Sequence, residues 1–226
     1  MRSAERAHLE AGEPLMARAA EGLADAVAAL IVGAGRSLRT AHVCVLVGSG
    51  DNGGDALYAA AALASRGASV TVVPVGSRLH EGGRRAAEVS GATVLDRASG
   101  SDEDLVRRAV AAAVTADAVI DGIIGTGTSP DPSLRGLGRA VVLALLDEPR
   151  WAASSTAVVA VDLPSGVHPD TGAADDAVLP ADLTVTFGGA KAGLLQGAGA
   201  RLAGRVEVVP IGIEDDLEAL TPVVET

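Results

Sequence analysis

Three short segments of this chain hold the residue types that could do chemistry. The first is Gly48-Ser49-Gly50-Asp51-Asn52-Gly53-Gly54-Asp55, which follows the apolar run 42–47 and opens onto the Ala-rich stretch 56–64. Strand, glycine-rich turn and helix start together make a phosphate-binding geometry, and Gly48 to Gly53 fits G-x-G-x-x-G. Asp51 and Asp55 put negative charge where a pyrophosphate would lie, so dinucleotide binding alone does not account for the loop. The second segment, Asp121-Gly122-Ile123-Ile124-Gly125-Thr126-Gly127-Thr128-Ser129, follows Ala118-Val119-Ile120. The third, Asp162-Leu163-Pro164-Ser165-Gly166-Val167, follows Val158-Val159-Ala160-Val161.

Taken singly, each segment has a bland explanation. A glycine-rich turn is often only a tight turn, and an Asp that ends a strand commonly caps a helix or forms an Asx-turn. Their joint occurrence is harder to dismiss. Parallel strands would bring all three carboxyl ends to one edge, where open α/β sheets bind ligands. One site would then hold Asn52, Asp55, Asp121, Asp162 and Ser165. Several carboxylates together require either a proton on one of them or a cation among them. Amide, carboxylate, hydroxyl and carbonyl oxygens are hard donors that suit an alkali or alkaline-earth ion. The four histidines (His8, His42, His80, His168) are scattered, which argues against zinc, and Cys44 lies mid-strand and reads as a core thiol.

The elements that must position these loops follow from periodicity. A helix is expected from Pro14 to about Val32, with apolar residues at helical spacing and Gly33 as a stop. Strands are expected over 42–47, 69–75, 92–95, 117–121, 157–161, 182–187 and 204–210. Helices are expected over 55–66, 80–90, 101–115 and 137–147, the third opened by the capping-box-like Ser101-Asp102-Glu103-Asp104. This alternation implies a three-layer, Rossmann-like α/β fold: a mostly parallel central sheet with helices on both faces, the last strands forming an edge joined by loops. No linker divides the chain, so 1–226 reads as one domain, with the acidic stretch 214–226 having the look of a linker tail. With one Trp, one Tyr and one Phe, the core must be built of aliphatic residues and Ala.

Composition excludes several classes. A net charge of −11 without a basic block argues against nucleic acid or an anionic membrane as partner. The single cysteine and the absence of a signal-like start or a long apolar run point to the cytoplasm. An NAD dehydrogenase wants an acid about 20 residues after the glycines. The second strand instead ends Val75-Gly76-Ser77-Arg78. Arg78 could meet a 2′-phosphate but reads more simply as a solvated residue starting a helix.

With all three loops in view, the chain resembles the YjeF N-terminal domain family, the NAD(P)H-hydrate epimerases, over nearly its whole length. Leu15-Met16-Ala17-Arg18-Ala19-Ala20 is similar to the family's L-M-x-x-A-G, and Gly50 to Ala56 to its G-N-N-G-G-D-G. Asp121 to Gly127 is similar to D-A-(L/I)-F-G-T-G, and Asp162 to Gly166 matches D-(I/L)-P-S-G, followed by Asp170-Thr171-Gly172. The run Thr184 to Gly188 through Lys191-Ala192-Gly193-Leu194 resembles T-V-T-F-G…K-P-G-L. Asp51, Ala56, Ile124 and Gly76 depart from the family's Asn, Gly, Phe and, in some members, Lys. The resemblance implies interconversion of the R and S forms of hydrated NADH or NADPH. It also implies a potassium ion held by Asn52, Asp121 and Ser165. The hydrated nucleotide would touch Asp51, Asn52, Gly53, Gly54 and Asp55, the loop Gly125, Thr126, Gly127, Thr128, Ser129, Pro130 and Asp131, and Asp162. A dehydratase, fused in many members, is the implied working partner, and a homodimer is left open.

The substrate carries a hydroxyl on C6 beside the ring nitrogen. Protonating that hydroxyl lets water leave as the nitrogen forms an iminium, and water can return to the other face. A carboxylate of raised pKa suits the acid/base role. Asp162 is the first choice, with Asp55 or Asp51 as alternates. The competing readings are a nucleotide-binding enzyme of another reaction, such as a kinase or dehydrogenase, and a binding or scaffold module that keeps the fold without the activity.

Overall fold

The computed structural model describes His8 and residues 13–98, 100–125 and 131–218. Seven strands form one sheet: β1 (His42–Val47), β2 (Ser69–Pro74), β3 (Thr93–Val94), β4 (Ala118–Gly122), β5 (Ala157–Val161), β6 (Leu183–Phe187) and β7 (Arg205–Val209). Every pairing between them is parallel, in the order β3-β2-β1-β4-β5-β6-β7. The expected fold class is therefore the observed one.

The helices are α1 (Leu15–Gly33), α2 (Asp51–Ser65), α3 (Glu81–Val89), α4 (Asp102–Ala113), α5 (Gly136–Leu146), and the short α6 (Pro149–Ala152), α7 (Gly199–Leu202) and α8 (Glu214–Glu218). Residue parity sorts the core into two layers. Val43, Val45 and Val47 of β1 face α1, α2 and α3, through Leu23, Val27, Leu57 and Leu63. Cys44 and Leu46 face the other way, onto Leu105 and Ala109 of α4 and Val141 and Leu145 of α5. Right-handed crossovers require this split. The chain winds outward from β1 through β2 to β3 with its helices on one face, then reverses at β4, and the next helices fall on the opposite face. The reversal between β1 and β4 is the switch point at which such sheets bind ligands.

Most elements sit within a residue or two of expectation. Ser101 caps α4 by accepting the Asp104 N–H at 3.2 Å, with three acids in the first turn. Cys44 is fully buried and desolvation pushes its thiol up to about 12, as befits a core residue. One difference matters for the site. Helix α2 begins at Asp51, four residues before the expected Asp55. The Gly53-Gly54 pair disguises this start, because glycine is a poor helix former. Tertiary contact overrides the propensity. A Cβ at Gly53 would lie 2.3 Å from the Gly48 carbonyl oxygen, so glycine is what lets the helix close on the turn before it. Of the tail, residues 214–218 form α8, whose Glu214 carboxylate accepts the Ile211 and Gly212 N–H groups; residues 219–226 lie outside the described residues.

The opposite edge of the sheet is stapled by polar groups. Asp117 accepts the His42 N–H at 2.7 Å and an Arg36 N–H at 2.5 Å, and Arg36 reaches Ser155 at 2.8 Å. Among the described residues, no helix is long and apolar enough to cross a membrane.

Candidate active site

A cavity of about 1030 Å³ opens over the carboxyl ends of the strands. That is at the upper end of the roughly 300–1,000 Å³ typical of small-molecule sites, and suits an extended ligand. Its wall includes Gly48 to Asn52 and Asp55 from the β1–α2 junction, Val75 to Arg78 beyond β2, and Ile123 to Gly125 beyond β4. Asp162, Phe187 and Lys191 close it on the β5–β6 side.

The β1–α2 junction is the end of the cavity whose geometry suits an anion. Gly50 caps α2, so the first N–H groups of the helix lack intrahelical acceptors, and the helix dipole favours an anion there. Asp51 is exposed at the first helical position, where that dipole also accommodates its charge. Asn52 and Asp55 are buried along the same helix yet line the cavity. Gly53 and Gly54 are buried outside the lining; a Cβ at Gly54 would meet Met16 Cε at 3.0 Å. Asn52 is oriented by its Nδ2, which donates to the Val161 carbonyl at 2.5 Å. Its Oδ1 is left facing the β4 loop, close enough that a Cβ on Gly125 would sit 2.0 Å away. Asp131 lines the cavity and is held down to about 2, first by hydrogen bonds from Ser133 and then by Arg135. Thr126, Gly127, Thr128, Ser129 and Pro130 lie outside the described residues.

Asp121 ends β4 and is 1% exposed. Its donors are all neutral: the Ser165 hydroxyl at 2.6 Å, the Ser165 N–H at 2.8 Å and the Ile123 N–H at 3.3 Å. Burial raises its pKa, and the Ser165 and Ile123 hydrogen bonds oppose the rise. Among the described residues no Lys, Arg or His lies within ion-pair distance of it. The Ser165 oxygen also accepts the Ile124 N–H at 2.9 Å and lies 3.3 Å from the Ile124 carbonyl. Asn52 Oδ1, Asp121, Ser165 Oγ and the Ile124 carbonyl thus form a neighbourhood of hard oxygens around an uncompensated buried carboxyl. The chemistry fits a weakly hydrated monovalent cation. It does not fit a transition metal: among the described residues no cluster of three His, Cys, Asp or Glu side chains is placed to hold one.

Asp162 ends β5 in the same way but sits in a different setting. Its φ is +68°, the one positive value outside glycine among the described residues. This conformation costs a non-glycine residue on the order of 1–2 kcal/mol, least for Asp and Asn. Its N–H bonds to the Val185 carbonyl at 2.8 Å and the Leu163 N–H returns to the Val161 carbonyl at 2.8 Å, so the chain turns within one residue of the strand. The turn swings the carboxylate toward β6. There Oδ1 accepts the Thr186 hydroxyl at 2.9 Å, the Phe187 N–H at 3.4 Å and the Lys191 ammonium. Lys191 is buried as well, and also donates to Thr186 Oγ1 at 3.0 Å and the Phe187 carbonyl at 3.1 Å.

The structure thus brings Asp51, Asn52, Asp55, Gly125, Asp131 and Asp162 to one cavity, with Asp121 and Ser165 behind its wall. Sequence reasoning put other carboxylates around Asp162; the structure puts an ammonium there. Lys191 and Thr186 were visible only as parts of a matching run, and nothing in their spacing pairs them with residue 162. Arg78 and Arg97 also line the cavity rather than a helix start, and Arg97 donates to the Gly76 carbonyl at 2.8 Å.

Comparison with known proteins agrees with this geometry. The chain is 48% identical over 225 residues to a protein named NAD(P)H-hydrate epimerase from Clavibacter michiganensis, covering 99% of this chain and 92% of that one. A protein of the same name from Microbacterium testaceum is 46% identical, covering 99% and 80%. A Mycobacterium tuberculosis protein named bifunctional NAD(P)H-hydrate repair enzyme Nnr is 36% identical, with 88% of this chain matching 37% of that longer one. In fold, the crystal structure of yeast ynu0 matches with a TM-score of 0.63 at 23% identity, covering 79% of this chain and 72% of that one. The family described as YjeF-related protein N-terminus matches residues 12–193, and with relatives this similar over nearly its whole length the chain belongs to that family.

Proposed function

We propose that this chain is an isomerase that interconverts the R and S forms of hydrated NADH or NADPH. The observation that carries this reading is the buried Asp162–Lys191 pair, set on a left-handed turn in the wall of a dinucleotide-sized cavity. Relatives named NAD(P)H-hydrate epimerase supply the reaction to which that pair is suited. In this arrangement the pyrophosphate meets the start of α2, and the hydrated ring lies over β5 and β6.

The residues of the chain divide the work by position. The start of α2 binds negative charge, and Asn52 turns its oxygen toward the Gly125 loop. Phe187 and Ile124 are the apolar residues of the cavity wall offered to the ring. All three described donors to Asp162 meet Oδ1, which leaves Oδ2 for C6 of the ring. Placed there, the carboxylate stabilises the iminium cation that forms as water leaves, and receives a proton from the water that returns. Asp55, buried in the cavity wall, is a further carboxylate in reach of the ligand.

Potassium is the proposed cofactor, with Asn52, Asp121, Ser165 and the Ile124 carbonyl as the oxygens to hold it. When bound it would supply positive charge against Asp121 and stiffen the join between α2 and the β4 loop. The bifunctional relatives support a dehydratase as the partner activity that consumes one epimer.

The test uses purified chain and a mixture of R and S hydrated NADPH, with a dehydratase that consumes one epimer. Dehydratase alone should restore NADPH absorbance only in part, and adding the chain should bring recovery to completion. A residual fraction that persists with the chain present would rule out the epimerase reading.

A further inference from the structure

The geometry points to Lys191 as the proton donor to the C6 hydroxyl, an inference that rests on the epimerase reading. Asp162 Oδ1 accepts from an ammonium, a hydroxyl and a backbone N–H, contacts that favour the carboxylate form. Within this pair the carboxylate is the base and the ammonium the acid. The donors around the carboxylate are a hydroxyl, far too weak an acid to protonate an alcohol, an amide, which does not release its proton, and Lys191. Of these only the ammonium can surrender a proton and take it back.

Lys191 is also built to be aimed. Its three recorded acceptors, Asp162 Oδ1, Thr186 Oγ1 and the Phe187 carbonyl, fix the direction of Nζ. A surface lysine that merely offset charge would need none of these. Burying its charge is costly unless it is paired. The side chain nonetheless reaches the wall of the cavity, within contact of the residue that faces C6.

The step balances as follows. The three N–H groups of Lys191 are met by Asp162, Thr186 and the Phe187 carbonyl, so the one on the Phe187 carbonyl, at 3.1 Å, turns to the C6 hydroxyl as the ligand binds; that N–H bond breaks as an O–H bond forms on the hydroxyl. The C6–O bond then breaks with its electron pair, water departs, and the ring nitrogen lone pair forms the C6=N bond. In return, water adds to the opposite face of C6 and the C=N pair goes back to nitrogen. The surplus proton passes to Asp162 and on to the neutral Lys191 amine, which restores the starting pair. No oxidant, reductant or further reactant enters.

The alternative is that Lys191 only neutralises Asp162, and arginine separates the two. The guanidinium keeps the positive charge and the donors but does not release a proton, its pKa lying above ~12. Epimerisation of hydrated NADPH is measured for wild type, Lys191→Arg, Lys191→Gln and Lys191→Ala, with NADPH binding followed by fluorescence. General acid catalysis contributes roughly 10²–10⁴-fold, so kcat of Lys191→Arg should fall at least about a hundredfold with NADPH affinity kept within about threefold. Methylammonium should restore part of the lost rate to Lys191→Ala and none to Lys191→Arg, in which the space is filled. If Lys191→Arg keeps kcat within about tenfold of an active wild type, the residue is a counter-charge and the inference fails alone. An inactive wild type removes the epimerase reading and this inference with it. Should Lys191→Gln melt far below wild type, Lys191→Arg, which retains the charge pair, still decides the matter.

Discussion

Asp121 and Asp162 end neighbouring parallel strands of one sheet, and both are buried. Asp121 sits on relaxed backbone, is held by neutral donors, and lies behind the cavity wall. Asp162 sits on left-handed backbone, is held by an ammonium, and faces the cavity. Among the described residues the first is met by no basic side chain, whereas the second has Lys191. The contrast teaches that position on the sheet edge selects where an acid goes, whereas the partners brought by the next element decide what it does. Asp121 takes its partners from its own loop and the Asp-Leu-Pro-Ser turn after β5, and Asp162 takes its own from β6 and the loop that follows it.

The comparison is broken most severely at Asp162. Asp162→Asn keeps a residue type that tolerates positive φ and should still lower kcat by roughly 10²–10⁴ with the fold intact. A rate within tenfold of wild type, read in the coupled NADPH assay, would remove Asp162 from the chemistry. Next comes the cation. Replacing tetramethylammonium by potassium at about ten times its dissociation constant should add about 1.4 kcal/mol, or roughly 2–6 °C in melting temperature. Asp121→Asn should abolish that increment. A potassium effect that survives the substitution would place the ion elsewhere.

The acid dependence sharpens the same point. Burial raises the pKa of Asp121 in the folded chain, so the folded state holds this proton more tightly than the unfolded one. Its contribution is present below the unfolded carboxylate value and is lost as pH rises through the folded value. Without alkali cations, wild type should therefore lose stability relative to Asp121→Asn as pH rises from acid toward neutral, and potassium should remove much of the difference. Melting curves of both proteins across that range decide it; parallel curves would show that Asp121 titrates as in the unfolded chain. An effect of similar size is expected at Thr186→Val. It withdraws one donor from Asp162 and one acceptor from Lys191, at a cost of about 1–3 kcal/mol by denaturant unfolding. Smallest of all is Asp51→Asn. This exposed acid at the first position of α2 should change the melting temperature slightly at low salt and not at high salt.

The fold was legible because parallel strands buried on both faces read as unbroken Val, Ile and Ala runs, and because the intervening segments carry the helical period. The three loops followed from where those runs end. What the sequence hid depends on contacts made across the sheet. The start of α2 was hidden because Gly53 and Gly54 look like a loop until Gly48 is packed against them. Lys191 was hidden because its partner lies 29 residues earlier, and the two meet only through the turn of backbone at Asp162. The charge setting of Asp121 was half visible: the oxygens could be named, but that no basic group among the described residues stands beside them could not.

The left-handed turn at residue 162 also limits how this protein can change over generations. Few side chains tolerate that backbone, so substitutions accepted there are expected to be mainly Asn and Gly. Asn keeps the shape of the side chain without its charge, and Gly keeps neither. A descendant that abandoned chemistry but retained its architecture would be expected to carry one of these two at this position. On the proposed roles, a lineage in which both the acid and Lys191 persist is expected to retain turnover.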